Sequence, residues 1–403
     1  MSNAQNGGVD SGRAWVVVFA AFLGAFVAFG ASYSFGVFLR PMAREFHASH
    51  TAMSAIFSTT SAFSFFLGPL TGNIADRYGP RPVVAAGAAL MAAGLVITAR
   101  IHYFPLIFLS YGAGLGCAVA CIYIPCVAAV GAWFKKRRVV ALGAAISGIG
   151  CGTLIAAPLS AELIDRYGWR SAIEIFGWAG GALLVLAAAL LFRPPVSGKK
   201  TSASVFPMLR TQAFALLYIS LFFVGIAIYV SFVFLPVYAD DLGATRVAGA
   251  VLVGYIGASS VVGRLGLNAL APRFGLPTMY LTSYAILLGS FGFWLAAHAY
   301  PALIAFSWVM GVGYGGIAAM SPAMTAAIFG VEGLGELLGI LFTALGAACL
   351  VGPPVAGALV DSMHDSKLPV FVAAAAAVLA MIFVVPLRKY GVEERQPAVS
   401  KSA

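Results

Sequence analysis

The chain has 403 residues, of which 61% are hydrophobic and only 9% are charged, and its formal net charge is +10. Soluble domains have about 25% charged residues, so this composition excludes an ordinary soluble enzyme and predicts an all-α polytopic membrane protein. The basic residues lie in the short segments between apolar stretches rather than in one patch, so no nucleic-acid partner is expected.

Apolar stretches long enough to cross about 30 Å of hydrocarbon as helices recur along the whole chain. Six spans are predicted in the first half, at residues 14–38, 50–75, 82–100, 104–132, 139–161 and 170–192. Six more are predicted in the second half, at residues 209–237, 247–271, 278–298, 301–328, 335–360 and 368–387. Residues 1–12 are polar and lack the apolar core of a signal peptide, so the first span is expected to be retained.

Positive charges fall unevenly on the two sides of these spans. Sixteen Lys and Arg residues lie on the side of the two termini, whereas seven lie on the other side. Because cytoplasmic segments of membrane proteins collect Lys and Arg, both termini are predicted to be cytoplasmic. The lipid bilayer is accordingly an expected partner.

The segment between the second and third spans combines two glycines with one acid and two bases. Gly72 allows close helix approach, and Gly79 permits a tight turn. Asp76, with Arg77 and Arg81 nearby, can bridge guanidinium groups or the N-terminus of a helix. Such an ionic cluster at the membrane surface can hold one state closed and open when two bundles rotate. A static link within the loop is the alternative.

Span four contains Tyr123 beside Pro125 in an otherwise apolar setting. An aromatic packing role is the alternative to ligand binding by this tyrosine. Gly112, Gly114 and Gly116 loosely resemble a nucleotide-binding loop, but they lie inside an apolar span without a preceding strand. No metalloprotease or serine-hydrolase motif and no carboxylate pair at useful depth is found, so the chain is not expected to be an enzyme.

All five cysteines lie inside predicted spans rather than in loops. They show neither Cys-x-x-Cys nor Cys/His metal spacing, so a disulfide framework is not expected. Neither a metal nor another cofactor is predicted.

The polar segment 193–204 separates spans six and seven and divides the chain into two halves. The predicted domains are residues 1–193, a linker at 194–207 and residues 208–403. A shift of 196 residues superposes residues of the same type, namely Arg77 on Arg273, Gly79 on Gly275, Gly143 on Gly339, Gly150 on Gly346, Pro158 on Pro354 and Asp165 on Asp361. This register predicts duplicated bundles that flank a site at the middle of the membrane, the architecture of a rocking transporter.

Arg264 is the only charged residue between Val247 and Ala271. A guanidinium at that depth costs several kcal/mol, and it cannot escape by losing its proton. A counter-anion of the protein, or a water-filled cavity that admits an anionic substrate, would offset this cost. An architectural ion pair or a snorkelling side chain is the alternative.

The chain resembles the major facilitator superfamily, whose loop between spans two and three carries Gly-x-x-x-Asp-Arg-x-Gly-x-Arg. Residues 72–81 match every fixed position of that motif, and Gly168-Trp169-Arg170 before span six is also typical of the superfamily. The second copy of the motif, at residues 272–275, has lost the acid.

Three further segments are similar to the monocarboxylate transporter family. The segment at 10–15 keeps four positions of the family's opening motif and departs at Ser11 and Arg13; the matching residues are Asp10, Gly12, Ala14 and Trp15. Residues 133–148 run Trp-Phe-Lys-Lys-Arg-Arg and continue as a ladder of small residues, like the family's approach to span five. Span eleven carries a Gly-Pro-Pro run that ends in an acid, at residues 352–361.

This resemblance implies twelve transmembrane helices in two pseudo-symmetric six-helix bundles, and alternating-access transport of small monocarboxylates such as lactate or pyruvate. It implies that Arg264 binds the carboxylate and that Tyr123, at a position where bacterial members place a tyrosine, donates to it. Ser260 stands where mammalian members have an aspartate, and Tyr33 and Cys349 are further pocket-lining candidates. Symport with a proton and a bacterial inner-membrane location are also implied, and nothing in the sequence demands a protein partner.

One interior cation favours one negative charge on the substrate, because no second Lys or Arg is found in the middle of another span. The proton route stays open between a network of Ser260 with water and an acid that carries its own proton. An organic-anion exchanger or another exporter of the same superfamily is the nearest alternative function. A sensor that binds its ligand without transporting it is a further alternative.

Overall fold

The computed structural model describes residues 11–134, 137–193, 206–330, 334–363 and 365–390, and every regular element within them is a helix. Three residues of the family motifs lie outside the described residues, namely Asp10, Lys135 and Lys136. Residues 194–205 of the predicted linker and the tail from residue 391 lie outside them as well.

Six helices make up the first half. α1 is Gly12–Phe46, with a one-residue turn at Ser34, and α2 consists of His50–Phe66 and Gly68–Tyr78, which meet at an angle of 43°. α3 is Pro80–Arg100, and α4 is Pro105–Trp133 with a π-helical stretch at Phe108–Ala113. The 53-residue helix Arg138–Leu190 is broken at Gly168 (φ 79°, ψ 161°) and forms α5 (138–167) and α6 (169–190).

The second half also contains six long helices. After the short helix Phe206–Leu209 come α7 at Gln212–Asp241, α8 at Arg246–Phe274 and α9 at Leu276–Leu295. They are followed by α10 at Tyr300–Phe329, α11 at Leu334–Met363 and α12 at Leu368–Lys389, whose last five residues form a 3-10 turn.

The helices cross a membrane twelve times, as predicted. Length and composition give eleven apolar spans in the described residues when the bent pair in α2 counts as one. The break at Gly168 divides Arg138–Leu190 into α5 and α6, which rise about 45 and about 33 Å, so each is long enough to cross the membrane once. Several helices are longer than the predicted spans: α1 ends at Phe46 rather than at residue 38, and α7 ends at Asp241 rather than at residue 237.

The two halves form two pseudo-symmetric six-helix bundles, α1–α6 and α7–α12. Three pairs of equivalent helices begin 196 residues apart, with α2 and α8 at His50 and Arg246, α3 and α9 at Pro80 and Leu276, and α5 and α11 at Arg138 and Leu334. Large apolar side chains such as Phe19, Leu109 and Trp178 stay exposed on the outside of the bundles, where lipid would cover them.

Because twelve spans return the chain to the side on which it began, both described ends lie on one face, here called the termini face. The opposite face carries the turns that follow the odd-numbered helices. Contacts between the bundles close this opposite face. Arg40 of α1 pairs with Asp240 and Asp241 of α7, and Arg246 of α8 pairs with Asp165 of α5. A third contact joins the end of α11 to the start of α2.

The bundles approach each other closely where α5 crosses α8. A Cβ atom on Gly150 would lie 2.5 Å from the carbonyl oxygen of Gly257, and one on Gly257 would lie 2.6 Å from the carbonyl oxygen of Gly150. Only glycine at both positions permits this approach of the two backbones. The crossing lies one turn from Ile146 and two turns from Arg264, so it brings the backbone of one bundle to the interior cation of the other.

Candidate functional site

Arg264 lies in the interior of the protein, between the two bundles. It stands ten residues before α8 ends at Phe274, which is about 15 Å from the termini face along the helix. Its side chain is only 4% exposed. The guanidinium points towards α5 of the other bundle rather than towards lipid or the membrane surface.

Within the described residues, the guanidinium of Arg264 makes one hydrogen bond. Nη1 donates to the carbonyl oxygen of Ile146 at 2.8 Å, whereas Nε and Nη2 are buried without a hydrogen-bond partner in the described residues. Nε–H and one Nη2–H lie side by side on one edge of the planar group, an edge that a carboxylate can occupy with both oxygens. A buried donor without a partner costs about 1–3 kcal/mol. A carboxylate on this edge would satisfy both donors.

The guanidinium of Arg264 lies next to an aromatic side chain rather than an acidic one. Among the described residues no Asp or Glu forms an ion pair with it. Its Cζ atom lies 5.5 Å from the ring centroid of Tyr314 in α10. A cation–π contact contributes about 0.5–2 kcal/mol and leaves the charge in place. In the part of the chain that the structure describes, an architectural ion pair is thus not what holds Arg264.

Tyrosines from four helices lie close together at this site, and three of them lie beside Arg264. Tyr33 of α1 and Tyr123 of α4 both lie close enough to interact electrostatically with the guanidinium. Tyr229 of α7 and Tyr314 are in turn in polar contact with Tyr33. These four residues are called the tyrosine cluster below. The sequence predicted two of them, Tyr33 and Tyr123.

Phenylalanine rings hold the tyrosine cluster in place. Tyr33 stacks on Phe232 with ring centroids 4.3 Å apart. Phe29 contacts the rings of Tyr33 and Tyr123 edge to face at 5.5 and 5.0 Å. The surroundings of Arg264 therefore combine apolar rings with tyrosine hydroxyl groups.

Cys349 and Ser260 were the other predicted pocket residues, and both are fully buried. The thiol of Cys349 is in polar contact with Ser58 of α2, whose hydroxyl also donates to the Cys349 carbonyl oxygen, and it lies close to Tyr229. The hydroxyl of Ser260 donates to the carbonyl oxygen of Gly257 at 2.7 Å, so the backbone of α8 already satisfies it. A substrate contact by either residue stays a prediction.

The motif between α2 and α3 lies on the termini face, away from Arg264. Gly72 packs against Ile124 of α4, where an added Cβ would lie 3.1 Å from a methyl group. Gly79 has φ 95° and ψ 159° and turns the chain directly from α2 into α3. Asp76 and Arg81 are exposed, and Asp76 has no ion-pair partner in the described ranges. The carbonyl oxygen of Arg77 accepts a hydrogen bond from Arg193 at 3.1 Å. The gating role of this motif stays a prediction.

Sequence reasoning missed three contributors to the site. Tyr229 could have been found, because the 196-residue shift places Tyr33 on it. Tyr314 is the only aromatic residue in the glycine-rich stretch 311–316, which is a weaker signal. Ile146 contributes a backbone carbonyl, and no side-chain pattern can mark a backbone contact between distant helices.

Comparison with known sequences matches nearly the whole chain. The family model described as "Major Facilitator Superfamily" matches residues 21–303 and 270–402. Monocarboxylate transporter 3 of Rattus norvegicus is 28% identical over 392 residues, which cover 93% of this chain and 80% of the rat protein. Monocarboxylate transporter 4 of Gallus gallus is 28% identical over 414 residues, 96% of this chain and 85% of the chicken protein.

Two other proteins extend this picture. The fujikurins efflux protein of Gibberella fujikuroi is 28% identical over 365 residues, which cover 89% of this chain and 78% of the fungal protein. Among solved structures, a bacterial homolog to the human lysosomal transporter Spinster, in an inward-facing and unoccupied conformation, has a TM-score of 0.75 at 14% identity. That match covers 96% of this chain and 99% of the other, and it shows a shared fold.

Proposed function

Because the chain belongs to the Major Facilitator Superfamily and is a membrane transporter, we propose that it carries small monocarboxylates of the lactate and pyruvate type by alternating access. Arg264 binds the carboxylate, and the tyrosine cluster shapes the rest of the site. The likeness to proteins named monocarboxylate transporters supports this substrate class.

The observation that carries the proposal is the free edge of Arg264. Two buried N–H donors point the same way and lack a partner among the described residues, while Nη1 is tied to Ile146. A carboxylate on that edge makes two charge-assisted hydrogen bonds and neutralises the guanidinium. It thereby supplies a counter-charge for the buried guanidinium, which no described side chain of the protein does.

The charge count supports one carboxylate per substrate. The 196-residue shift places Arg264 on Gly68, so the first bundle has no equivalent cation. A dicarboxylate would bring a second negative charge into an apolar wall that offers it hydroxyl groups but no described base. Monocarboxylates with a small polar substituent fit better, because the tyrosine hydroxyls can bind a 2-hydroxy or 2-oxo group.

The proposed orientation places both termini in the cytoplasm of a bacterial cell, with the protein in the inner membrane. The excess of Lys and Arg on the termini face supports it. The opposite face, which is closed in this structure, is then the outer face. We propose further that a proton crosses with the anion, carried by the acid itself or by a water network near Arg264.

Transport by purified protein in liposomes tests the proposal. Wild type should take up lactate and pyruvate saturably and prefer both to succinate, whereas R264A should lose this uptake. R210A removes an exposed arginine on the termini face and is the matched control. Thermal unfolding without substrate verifies that R264A is folded. Undiminished monocarboxylate uptake by R264A would contradict the proposed site.

A pH-sensitive dye inside the same liposomes tests the proton. Lactate influx driven by a lactate gradient should acidify the lumen faster with wild type than with R264A. An influx that leaves the lumen pH unchanged would remove proton symport while leaving the carboxylate site intact.

Export through the same site is the second candidate function. A relative named for efflux is as similar to this chain as the monocarboxylate transporters are. Arg264 would serve an exported organic acid equally well, because its edge recognises the carboxylate rather than the direction. Expression in cells loaded with labelled lactate separates the two: accelerated loss of label without accelerated uptake indicates an exporter.

A further inference from the structure

The bundle interface on the opposite face contains two equivalent contacts. The 196-residue shift places His50 on Arg246 and Asp165 on Asp361. Each carboxylate contacts the base at the start of a helix in the other bundle: Asp165 pairs with Arg246, and Asp361 pairs with His50. These contacts are called the arginine latch and the histidine latch below. They are symmetry-related, but their bases differ.

The histidine latch is also a helix cap that one bundle supplies to the other. Oδ1 of Asp361 accepts from the backbone N–H of His50 at 3.0 Å and lies 3.0 Å from its ring Nδ1. Oδ2 accepts from the backbone N–H of Thr51 at 2.9 Å and from its hydroxyl at 2.6 Å. Asp361 thus meets the positive end of the α2 dipole. Opening this face separates α11 from α2 and breaks all of these contacts together.

The two bases differ in how they respond to pH. Arginine stays protonated at any physiological pH, whereas histidine gains and loses its charge between about pH 5 and 8. We propose that the histidine latch is operated by a proton: protonation of His50 strengthens closure of the opposite face, while the arginine latch acts at every pH. The proton favours the closed state because protonated His50 has an anionic partner only there.

Among the described residues around His50, Asp361 is the acid that pairs with it. The start of α2 packs against the end of α1, α4 and α11. In α1, Arg40 pairs with the end of α7 and Glu45 pairs with Arg170 of α6, and α4 carries no charged residue. The other charged or titratable residues at the end of α1, in α11 and in the turn after it are Arg44, His47, Glu336, Cys349, His364, Asp365 and Lys367, of which His364 lies outside the described residues.

The proposal needs only that the protein alternates between two states, so it is independent of the substrate and of Arg264. It can therefore be tested without transport. Purified protein in nanodiscs exposes both faces to one buffer, and fluorophores carried by non-natural amino acids leave the cysteines in place. Tyr103, in the turn after α3, and His298, in the turn after α9, are exposed labelling sites on the opposite face of different bundles.

Single-molecule energy transfer between these labels reports the ratio of closed to open molecules. In wild type this ratio should rise about 1.5- to 5-fold from about pH 7.5 to about pH 5.5, the range expected for one half-exposed ion pair. H50R should keep the high ratio at both pH values, and H50Q should keep a low ratio at both. R246H should add a second titrating latch and enlarge the response.

Control variants test whether protonation of His50, rather than of another histidine, causes the response to pH. H47Q and H364Q should respond like wild type, whereas D361N should be more open and insensitive to pH. H50Q and H50R both remove the titration, so either suffices if the other does not fold. A wild-type response in H50Q or H50R, or loss of the response in H47Q or H364Q, would overturn the proposal. So would a wild-type ratio that does not change with pH.

Discussion

Arg264 and a lysine in its place would carry the same charge but offer different donors. A guanidinium presents two parallel N–H groups to a carboxylate, whereas an ammonium acts as a point charge. We expect R264K to bind short monocarboxylates about tenfold or more weakly, since a hydrogen bond to a charged group contributes about 1.5–3 kcal/mol. Titration calorimetry measures the change, with R210K as the control. Equal affinities would show that charge alone holds the substrate.

Tyr314 tests how far the aromatic face supports Arg264. The ring lies 5.5 Å from the guanidinium carbon. Y314F keeps the ring and should retain most of the affinity, whereas Y314L should weaken lactate binding about threefold or more because the cation–π contact is lost. If Y314F and Y314L bind equally weakly, the hydroxyl group rather than the ring face supports the site.

At the residue scale, the sequence predicted the position of the interior charge but not its contacts. Arg264 is identifiable because one charge in an apolar span is easy to see. Its bond to the Ile146 carbonyl depends on the approach of α5 to α8, which two glycines permit and which no local pattern reveals. For Ser260, the sequence predicted a position one helical turn from Arg264. It did not predict that the hydroxyl would donate to the backbone carbonyl oxygen of Gly257.

At the element scale, direct turns between helices depend on glycine. Gly79 and Gly275 occupy the same unusual conformation, with φ 95° and 89°, in equivalent turns. An alanine there meets steric strain of about 1–3 kcal/mol, so G79A should lower the free energy of unfolding by about that amount. G143A, in a helix with open space around the added methyl group, is the control and should be neutral or slightly stabilising.

Thermal unfolding in detergent compares G79A and G143A. A loss of stability in both variants would point to a general intolerance of added methyl groups rather than to the conformation of Gly79.

Hydropathy located all twelve helices but not their ends. α5 continues to residue 167 and α7 to Asp241, beyond the predicted 161 and 237, because these ends project past the hydrocarbon and carry charged residues. At these ends Asp165 pairs with Arg246 and Asp240 pairs with Arg40 across the interface between the bundles. A hydrophobicity scale does not register such ion pairs. The break at Gly168 fell between two predicted spans, since the residues around it are polar.

At the scale of the whole molecule, the arginine latch should obey charge reversal. R246D places two carboxylates together and should open the opposite face, whereas R246D with D165R restores an ion pair and should close it again. The energy-transfer measurement described for the histidine latch gives the populations. Failure of the double variant to recover the closed population would mean that the contact in the structure does not hold the bundles together.

The 196-residue repeat predicted two similar bundles, and the equivalent helix starts agree with it. The closed face was not predictable in the same way. Both states of a rocking protein use the same sequence, and they differ by only a few kcal/mol in how the bundles meet. The pairs that close the face join residues far apart in the sequence, such as Arg40 and Asp240, which are 200 residues apart, and they form only when this face is closed.

In the proposed mechanism, the empty protein reorients with the charge of Arg264 not neutralised between its bundles. With an acid bound, the same movement carries a neutral pair, and the dielectric penalty at that depth is smaller. The return of the unoccupied form should therefore be the slow half of the cycle. The efflux of labelled lactate from preloaded liposomes should be faster when the external buffer contains unlabelled lactate than when it contains none. Such trans-stimulation would mean that this protein exchanges acids faster than it transports them in one direction.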